Sequence, residues 1–478
     1  MSFRLREIDP HGQFLPQLKL ELLTRIFPRQ LVQDTLAATG AVTQRERKLN
    51  LETTFWLLVS MNLFVHSPLE HVLEQLSHGL RLLWPLETDR RSLLPRKSAI
   101  SYRRAQLGVR PLQALFHQCC RPLATPHTPG AFFQGLRLMA LDGHTQTVPD
   151  TPANARAFGR TSSQRGESAF PQVQCVSLCE LGTHALVDST FWPARTGEQR
   201  GAQRLLRSVT PAMLVLWDAG LHSYTLVQGV QARGAHVLGR LSAKVQPTPI
   251  RRLPDGSYLA KLWAGDKKAR RRGEYTEVRV IAYTFTDPQA PGYQQRYRLL
   301  TTLLDPEQFP AAALAALYHE RWEMELTLDE QETHQLEQGQ PADPLRSRTP
   351  RGVVQELYGL LLAHYAVRYL MHEAACQAQV DPDRLSFTHA LRVLQDSLPD
   401  FEIAAPELLA GLYQRLLREL ADPLLPERQP RQEPRVVRRK VPKWPLKRLA
   451  HRHWPQPTRS VAKSLRLCEW GGAALVPI

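Results

Sequence analysis

The chain has 478 residues with 43% hydrophobic content, enough to build cores in about two to four domains and too apolar for a disordered protein. Lysine and arginine outnumber the acids 61 to 45, a formal charge of +16, so a polyanion is the expected partner: nucleic acid first, an anionic membrane surface second. The most apolar stretch, FWLLVSMNLFV at 55–65, is 11 residues long, short of the roughly 20 that a bilayer span needs. It reads as a buried helix. The N-terminus has no apolar signal core, so no membrane and a cytoplasmic location are expected.

Residues 1–130 read as a helical N-terminal domain. LPQLKLELLTRIFPRQLVQDTLAATG has apolar positions at three- and four-residue spacing and stops on Gly40. Around 91–108, Arg90, Arg91, Arg96, Lys97, Arg103 and Arg104 surround Ser and Tyr, which suits DNA binding. A solvated charged helix surface accounts for the same residues.

From 131 to 235 the texture becomes α/β. LRLMALDG is a buried strand closed by Asp142, and FPQVQCVSLCEL and HALVDSTFWPA follow as strands. A helix then leads to LVLWDAG, a second buried strand closed by Asp218. The cysteines show no C-x-x-C pair, and Cys175 and Cys179 read as buried thiols on a strand. Residues 236–304 form a β-rich insertion of short alternating runs separated by the turns PDGSY and RRRGEY. From 305 to 423 the chain is helical again, beginning with one long helix from Pro310 to Gly339. Residues 424–478 form a basic, proline-rich tail.

Ligands of α/β sheets gather at the carboxyl ends of strands, where Asp142 and Asp218 would both lie. Ordinary Asp-Gly turn chemistry explains either one alone. On the long helix, Tyr318, Arg321 and Glu325 stand at i, i+3 and i+7, one face at 100° per residue. That stripe could bind a phosphate beside a metal. By spacing alone an Arg–Glu pair on a helix surface is the plainer account. His144 and His334 lie near these residues in sequence and read as contacts to solvent or DNA, since no His/Cys set has zinc spacing.

LDGHTQTVPDTPANARAFGR at 141–160, LVLWDAGLHSY at 214–224 and YHERWEMEL at 318–326 resemble bacterial insertion-sequence transposases of the IS-four group of DDE enzymes. PLRSRTPRGVVQELYGLLLAHYAVR at 344–368 and PRVVRRKVPKWPLKR at 434–448 resemble downstream segments of that group, in the same order. The resemblance implies a ribonuclease-H-like catalytic core with a β-rich insertion before the catalytic glutamate. It assigns Asp142, Asp218 and Glu325 as catalytic, metal-binding carboxylates, and Tyr318 and Arg321 as DNA contacts. The group's helix pattern, Tyr-x2-Arg-x3-Glu-x6-Lys, is met except at the lysine, where this chain has Glu332.

Three carboxylates suit Mg²⁺, a hard ion that prefers oxygen, and can hold two ions about 4 Å apart, with Mn²⁺ as a substitute. The implied substrate is DNA: terminal inverted repeats are nicked and the freed 3′-hydroxyl is joined to target DNA. A homodimer on DNA and a nucleoid location in a bacterial cytoplasm follow from the same resemblance. Trp263, beside GDKKARRRG, is a candidate for stacking on a flipped base, with packing inside the β insertion as the plainer account. Arg346 and Arg348 complete the DNA-contact candidates, and either could alternatively neutralise Glu332. A decayed copy that binds DNA without cutting it stays open, because Glu332 and Asp329 would repel phosphate on the stripe that carries Arg321.

Overall fold

The structure is a computed structural model that describes residues 20–42, 49–65, 67–76, 95–163, 166–288, 294–336, 345–426 and 461–468. Arg90, Arg91 and nearly all of the basic tail lie outside these residues.

In chain order, the elements used below are α1 (Glu21–Ile26), α2 (Arg29–Ala38), α3 (Leu51–Ser60), α4 (Leu69–Leu76), α5 (Lys97–Leu107) and α6 (Arg110–Cys119). Then come β1 (Leu136–Thr147), α7 (Pro152–Phe158), β2 (Gln172–Glu180), β3 (Ala185–Pro193), α8 (Glu198–Leu205), β4 (Met213–Trp217), α9 (Tyr224–Gln231) and β5 (His236–Arg240). β6 (Thr248–Arg252), β7 (Tyr258–Trp263), α10 (Lys267–Arg271), β8 (Tyr275–Phe285), β9 (Tyr297–Thr301) and α11 (Ala311–Leu317) follow. The chain closes with α12 (Trp322–Asp329), α13 (Pro350–Ala378), α14 (Phe387–Ile403), α15 (Pro406–Leu420) and β10 (Leu465–Leu467).

Two compact units share β1. The first comprises Met1–Phe132, Gly143–Gly201 and Glu323–Leu425. Its axis is α13, started by the Thr349 hydroxyl, which accepts the Gly352 N–H, and by Pro350 in the first turn. Most of α13 is buried, packed by α3, α6, α14, α15 and β3. The stretch at 55–65 is the buried helix the sequence predicts: every residue of α3 except Glu52 is buried, and Asn50 caps it through Thr53 N–H. Val148, Phe158, Val173 and Cys175 pack on Leu345, Val353 and Leu357 of the same unit. Among the described residues, no helix is long and apolar enough to cross a membrane.

The second unit comprises Phe133–Asp142, Ala202–Trp322 and Pro426–Ile478. Here β1, β4 and β5 run parallel, and β9, β8, β7 and β6 continue the same sheet in antiparallel steps. In the first unit β2 and β3 form an antiparallel hairpin. Mixed strands and helices of this kind fit the ribonuclease-H-like core that the resemblance implies, and in the second unit the β-rich run extends the edge of the parallel sheet. Every residue of β4 is buried, which fits its unbroken apolar sequence. Gly239 is required on β5, because a Cβ there would stand 2.4 Å from the Trp217 indole nitrogen.

Candidate active site

The parallel register pairs Leu141 of β1 with Trp217 of β4. Asp142 and Asp218 come next, so two carboxylates emerge side by side from neighbouring chains about 4.8 Å apart: β4 ends at Trp217, whereas β1 runs on through Asp142 to Thr147, past the point where the sequence predicts its end. Asp218 is fixed by its own turn: Oδ1 accepts the N–H groups of Gly220 at 2.9 Å and Leu221 at 3.2 Å. The turn chemistry that made Asp218 ambiguous in the sequence therefore aims its carboxylate.

The segment Tyr318–Arg321 is a 3-10 turn, in which residues three apart eclipse. It is tied to both strands. The Tyr318 hydroxyl donates to Trp217 O at 3.3 Å, and Arg321 Nη1 donates to Asp142 Oδ2 at 3.2 Å. Tyr318 is buried, and burial pushes its pKa up to about 12. It is a neutral hydroxyl anchored on the last residue of β4. Arg321 is 14% exposed and reaches a carboxylate. His319 between them is half-buried, with its pKa lowered to about 4 by burial and by Arg321.

Glu325 lies in the first unit, half-buried in the first turn of α12. The helix predicted as one piece runs unbroken over the described residues Ala311–Gln335 but changes type along its length. After α12, residues Glu330–Gln335 form a π-helical segment. Its wider turn departs from the 100° spacing by which the sequence placed Glu332. Glu332 Oε1 faces His144 Nε2 at 3.8 Å, within the same unit. Burial and the nearby Asp329 raise the Glu332 pKa to about 7, while burial alone lowers that of His144 to about 4. His144 is thus mostly buried and neutral, not a solvent or DNA contact. His334, partly exposed, stands 3.7 Å from Asp329.

The arginines part company. Arg346 is turned inward and away from Glu332: Nη1 donates to Ser67 O at 2.8 Å and Nη2 to Phe64 O at 3.4 Å, closing the turn after α3. Burial lowers its pKa. Arg104 is likewise turned inward, onto Ser347 Oγ at 2.8 Å and Gln355 Oε1 at 3.2 Å. Arg348 is exposed, as are Arg96 and Lys97. Trp263, half-buried on β7, donates its N–H to Thr248 Oγ1 at 2.8 Å and meets the Tyr275 ring edge-on at 5.4 Å. Lys261 and Arg270 flank its ring, each 5.8 Å from the centroid.

A family profile for the N-terminal region of insertion element 4 transposases matches residues 17–117, and one for the transposase DDE domain matches 133–366. The transposase InsG for insertion sequence element IS4 of Escherichia coli (strain K12) is 32% identical over 426 residues, covering 87% of this chain and 91% of that protein. The putative transposase InsZ of the same organism is 26% identical over 230 residues, 46% of this chain and 71% of that protein. A piggyBac transposase synaptic complex with hairpin DNA aligns over 87% of this chain and 86% of that chain, at 14% identity and a TM-score of 0.42.

Proposed function

The chain belongs to the IS4 family of insertion-element transposases with a DDE domain, and on that premise we propose that it cleaves the terminal inverted repeats of its element and joins them to target DNA, using Asp142, Asp218 and Glu325 with divalent metal. The observation that carries this reading is the Leu141–Trp217 register, which sets Asp142 and Asp218 next to each other. Two half-buried carboxylates on neighbouring strands offer hard oxygen donors, the donor set of Mg²⁺, with Mn²⁺ as a substitute. Glu325 joins them through the family pattern. Asp142, Asp218 and Glu325 would hold two such ions, whose chemistry there would be activation of a water or 3′-hydroxyl and stabilisation of the leaving oxygen.

The chain's own residues do the rest. Asp218 is held in place by its turn, so it need not reorganise on binding. Arg321 holds Asp142 and carries the positive charge for the scissile phosphate. Tyr318 sets the height of that arginine by gripping Trp217 O. Trp263, with Lys261 and Arg270 around it, offers a ring and cations to an unpaired base and its backbone. Arg348 and the exposed Arg96 and Lys97 add phosphate contacts. Residues 1–130 bind the element end, and pairing of two ends makes the DNA-bound form a homodimer, acting in the bacterial cytoplasm at the nucleoid.

Incubation of the purified protein with a duplex carrying the element's own ends tests this. Strand cleavage that depends on Mg²⁺ is expected; binding without cleavage at any Mg²⁺ or Mn²⁺ concentration would return the function to DNA binding alone.

A further inference from the structure

A second group of metal-type donors lies inside the first unit. His184 closes the turn between β2 and β3 in a left-handed conformation, φ 57°, that costs a residue other than glycine. The turn also needs Gly182, because a Cβ there would meet Pro129 O at 2.7 Å. This geometry sends the imidazole inward, where its side chain is 3% exposed. Nε2 has no hydrogen-bond partner. It looks onto Asp383 Oδ1 at 3.2 Å and Glu323 Oε2 at 3.8 Å, and the three donor atoms all lie within 4.8 Å of one another.

We infer that His184, Glu323 and Asp383 bind one divalent first-row metal ion, Zn²⁺ by donor set, at a site that is not the Asp142–Asp218 pair. One imidazole nitrogen and two carboxylate oxygens at 2.0–2.2 Å from a tetrahedral ion stand about 3.3–3.6 Å apart, bracketed by the two measured separations. The outer shell has the arrangement that fixes a metal-binding imidazole. His184 Nδ1 lies 2.9 Å from Glu330 Oε1, a carboxylate that takes the Nδ1 proton when Nε2 binds the ion, and Arg368 Nη2 stands against the same nitrogen and competes for it. Arg368 grips that carboxylate through Nε, 2.9 Å from Glu330 Oε2, and His364 Nε2 stands 3.1 Å from the same oxygen. Glu323 Oε2 also accepts the Gly182 N–H and retains a second lone pair. Asp383, 17% exposed, gives the ion a way in. Bound there, the ion ties the β2–β3 turn to α12, which carries Glu325, and to the turn before α14. The inference does not depend on the catalytic assignments.

The rival state is a protonated imidazole in place of the ion. Burial and Arg368 depress the His184 pKa, but Glu330 and Asp383 outweigh them and lift it to about 9. The two states differ in cation uptake. The full-length chain carrying Asp142→Asn, Asp218→Asn and Glu325→Gln, stripped with a chelator and dialysed, is titrated with Zn²⁺ and, separately, with Co²⁺. One equivalent of Zn²⁺ is expected, retained against excess Mg²⁺, with a Co²⁺ visible spectrum of the low-coordinate type. Adding Asp383→Asn or His184→Gln weakens uptake at least about tenfold. Asp383→Asn, on a partly exposed turn, is the safeguard should His184→Gln not fold, and circular dichroism checks both. No stoichiometric uptake by the parent, or uptake indifferent to both substitutions in folded protein, overturns the inference.

Discussion

Arg321 Nη1 sits 3.2 Å from Asp142 Oδ2, so the arginine that family resemblance assigns to a phosphate holds a catalytic-type carboxylate. A guanidinium there competes with a metal ion for the same oxygen. Arg321→Ala is expected to tighten binding of Mn²⁺, followed by calorimetry, about two- to fivefold, the worth of a partly exposed pair. The same variant is expected to lower the cleavage rate about 10²- to 10³-fold, the usual cost of one lost charge-stabilising donor. Weaker Mn²⁺ binding in the variant would show Arg321 to be a scaffold for Asp142 and not its competitor.

The acidic residues separate binding from chemistry. Asp218→Asn preserves the turn, because an amide oxygen still accepts the Gly220 and Leu221 N–H groups, and it removes the charge. Asp218→Asn, Asp142→Asn and Glu325→Gln should each reduce strand cleavage by at least about 10³-fold and leave affinity for element ends within about threefold. Gel-shift and cleavage assays on the same preparations check this; near wild-type cleavage by any one of them removes that residue from the site.

Much of this was legible in the sequence where the signal is local. Asp142 and Asp218 each follow an apolar run, and such runs make buried parallel strands whose next residues lie side by side; the end of β1 was not legible, because its polar half from Asp142 to Thr147 stays in the strand. The helix stripe was less legible, because a wheel at 100° per residue assumes one helix type. The 3-10 turn at Tyr318–Arg321 leaves those two residues eclipsed, so their common face survives. The π segment at Glu330–Gln335 does not preserve the spacing, and Glu332 turns to His144. Arg346 and the His184 cluster were not legible. The partners of Arg346 are about 280 positions away in the chain, and His184 meets Glu323 and Asp383 only once β2, α12 and the turn before α14 have packed.

Arg346 and Arg348, two residues apart, should give opposite phenotypes. Arg346→Ala loses hydrogen bonds to the carbonyls of Ser67 and Phe64 and leaves polar groups half-buried. It should destabilise the protein by ~1–3 kcal/mol in denaturant titration and leave the salt dependence of DNA binding unchanged. Arg348→Ala, from an exposed position, should leave stability within ~0.5 kcal/mol. If Arg348 meets one phosphate, the slope of log K against log salt falls by about 0.9. An unchanged slope for Arg348→Ala removes it from the DNA surface.

Glu332 makes the protein pH-sensitive in a defined direction. Its pKa in the folded protein is raised to about 7 by burial and by Asp329, above the ordinary 4.5. Across that window the native state keeps a proton that the unfolded chain has released, so stability falls as pH rises. The penalty is absent below 4.5 and complete above 7. His144 supplies no compensating charge, because burial lowers its own pKa to about 4 and leaves it neutral there. Glu332→Gln removes the titration, so its melting temperature should match that of the parent near pH 5 and exceed it near pH 8. End binding should follow the same order. Near pH 6 the parent carboxyl is mostly neutral, and the glutamine variant should bind equally well; near pH 8 the parent carries a charge that repels phosphate, and the variant should bind more tightly. Glu332→Lys, the residue type that the family pattern carries there, should bind more tightly at both values, with the larger gain at pH 8 because the charge then changes by two units and not one. This also weakens the case for a decayed copy, since near neutrality the misplaced acid is only partly ionised. Gaps in melting temperature and affinity that stay constant from pH 5 to pH 8 would show that Glu332 does not titrate in this window.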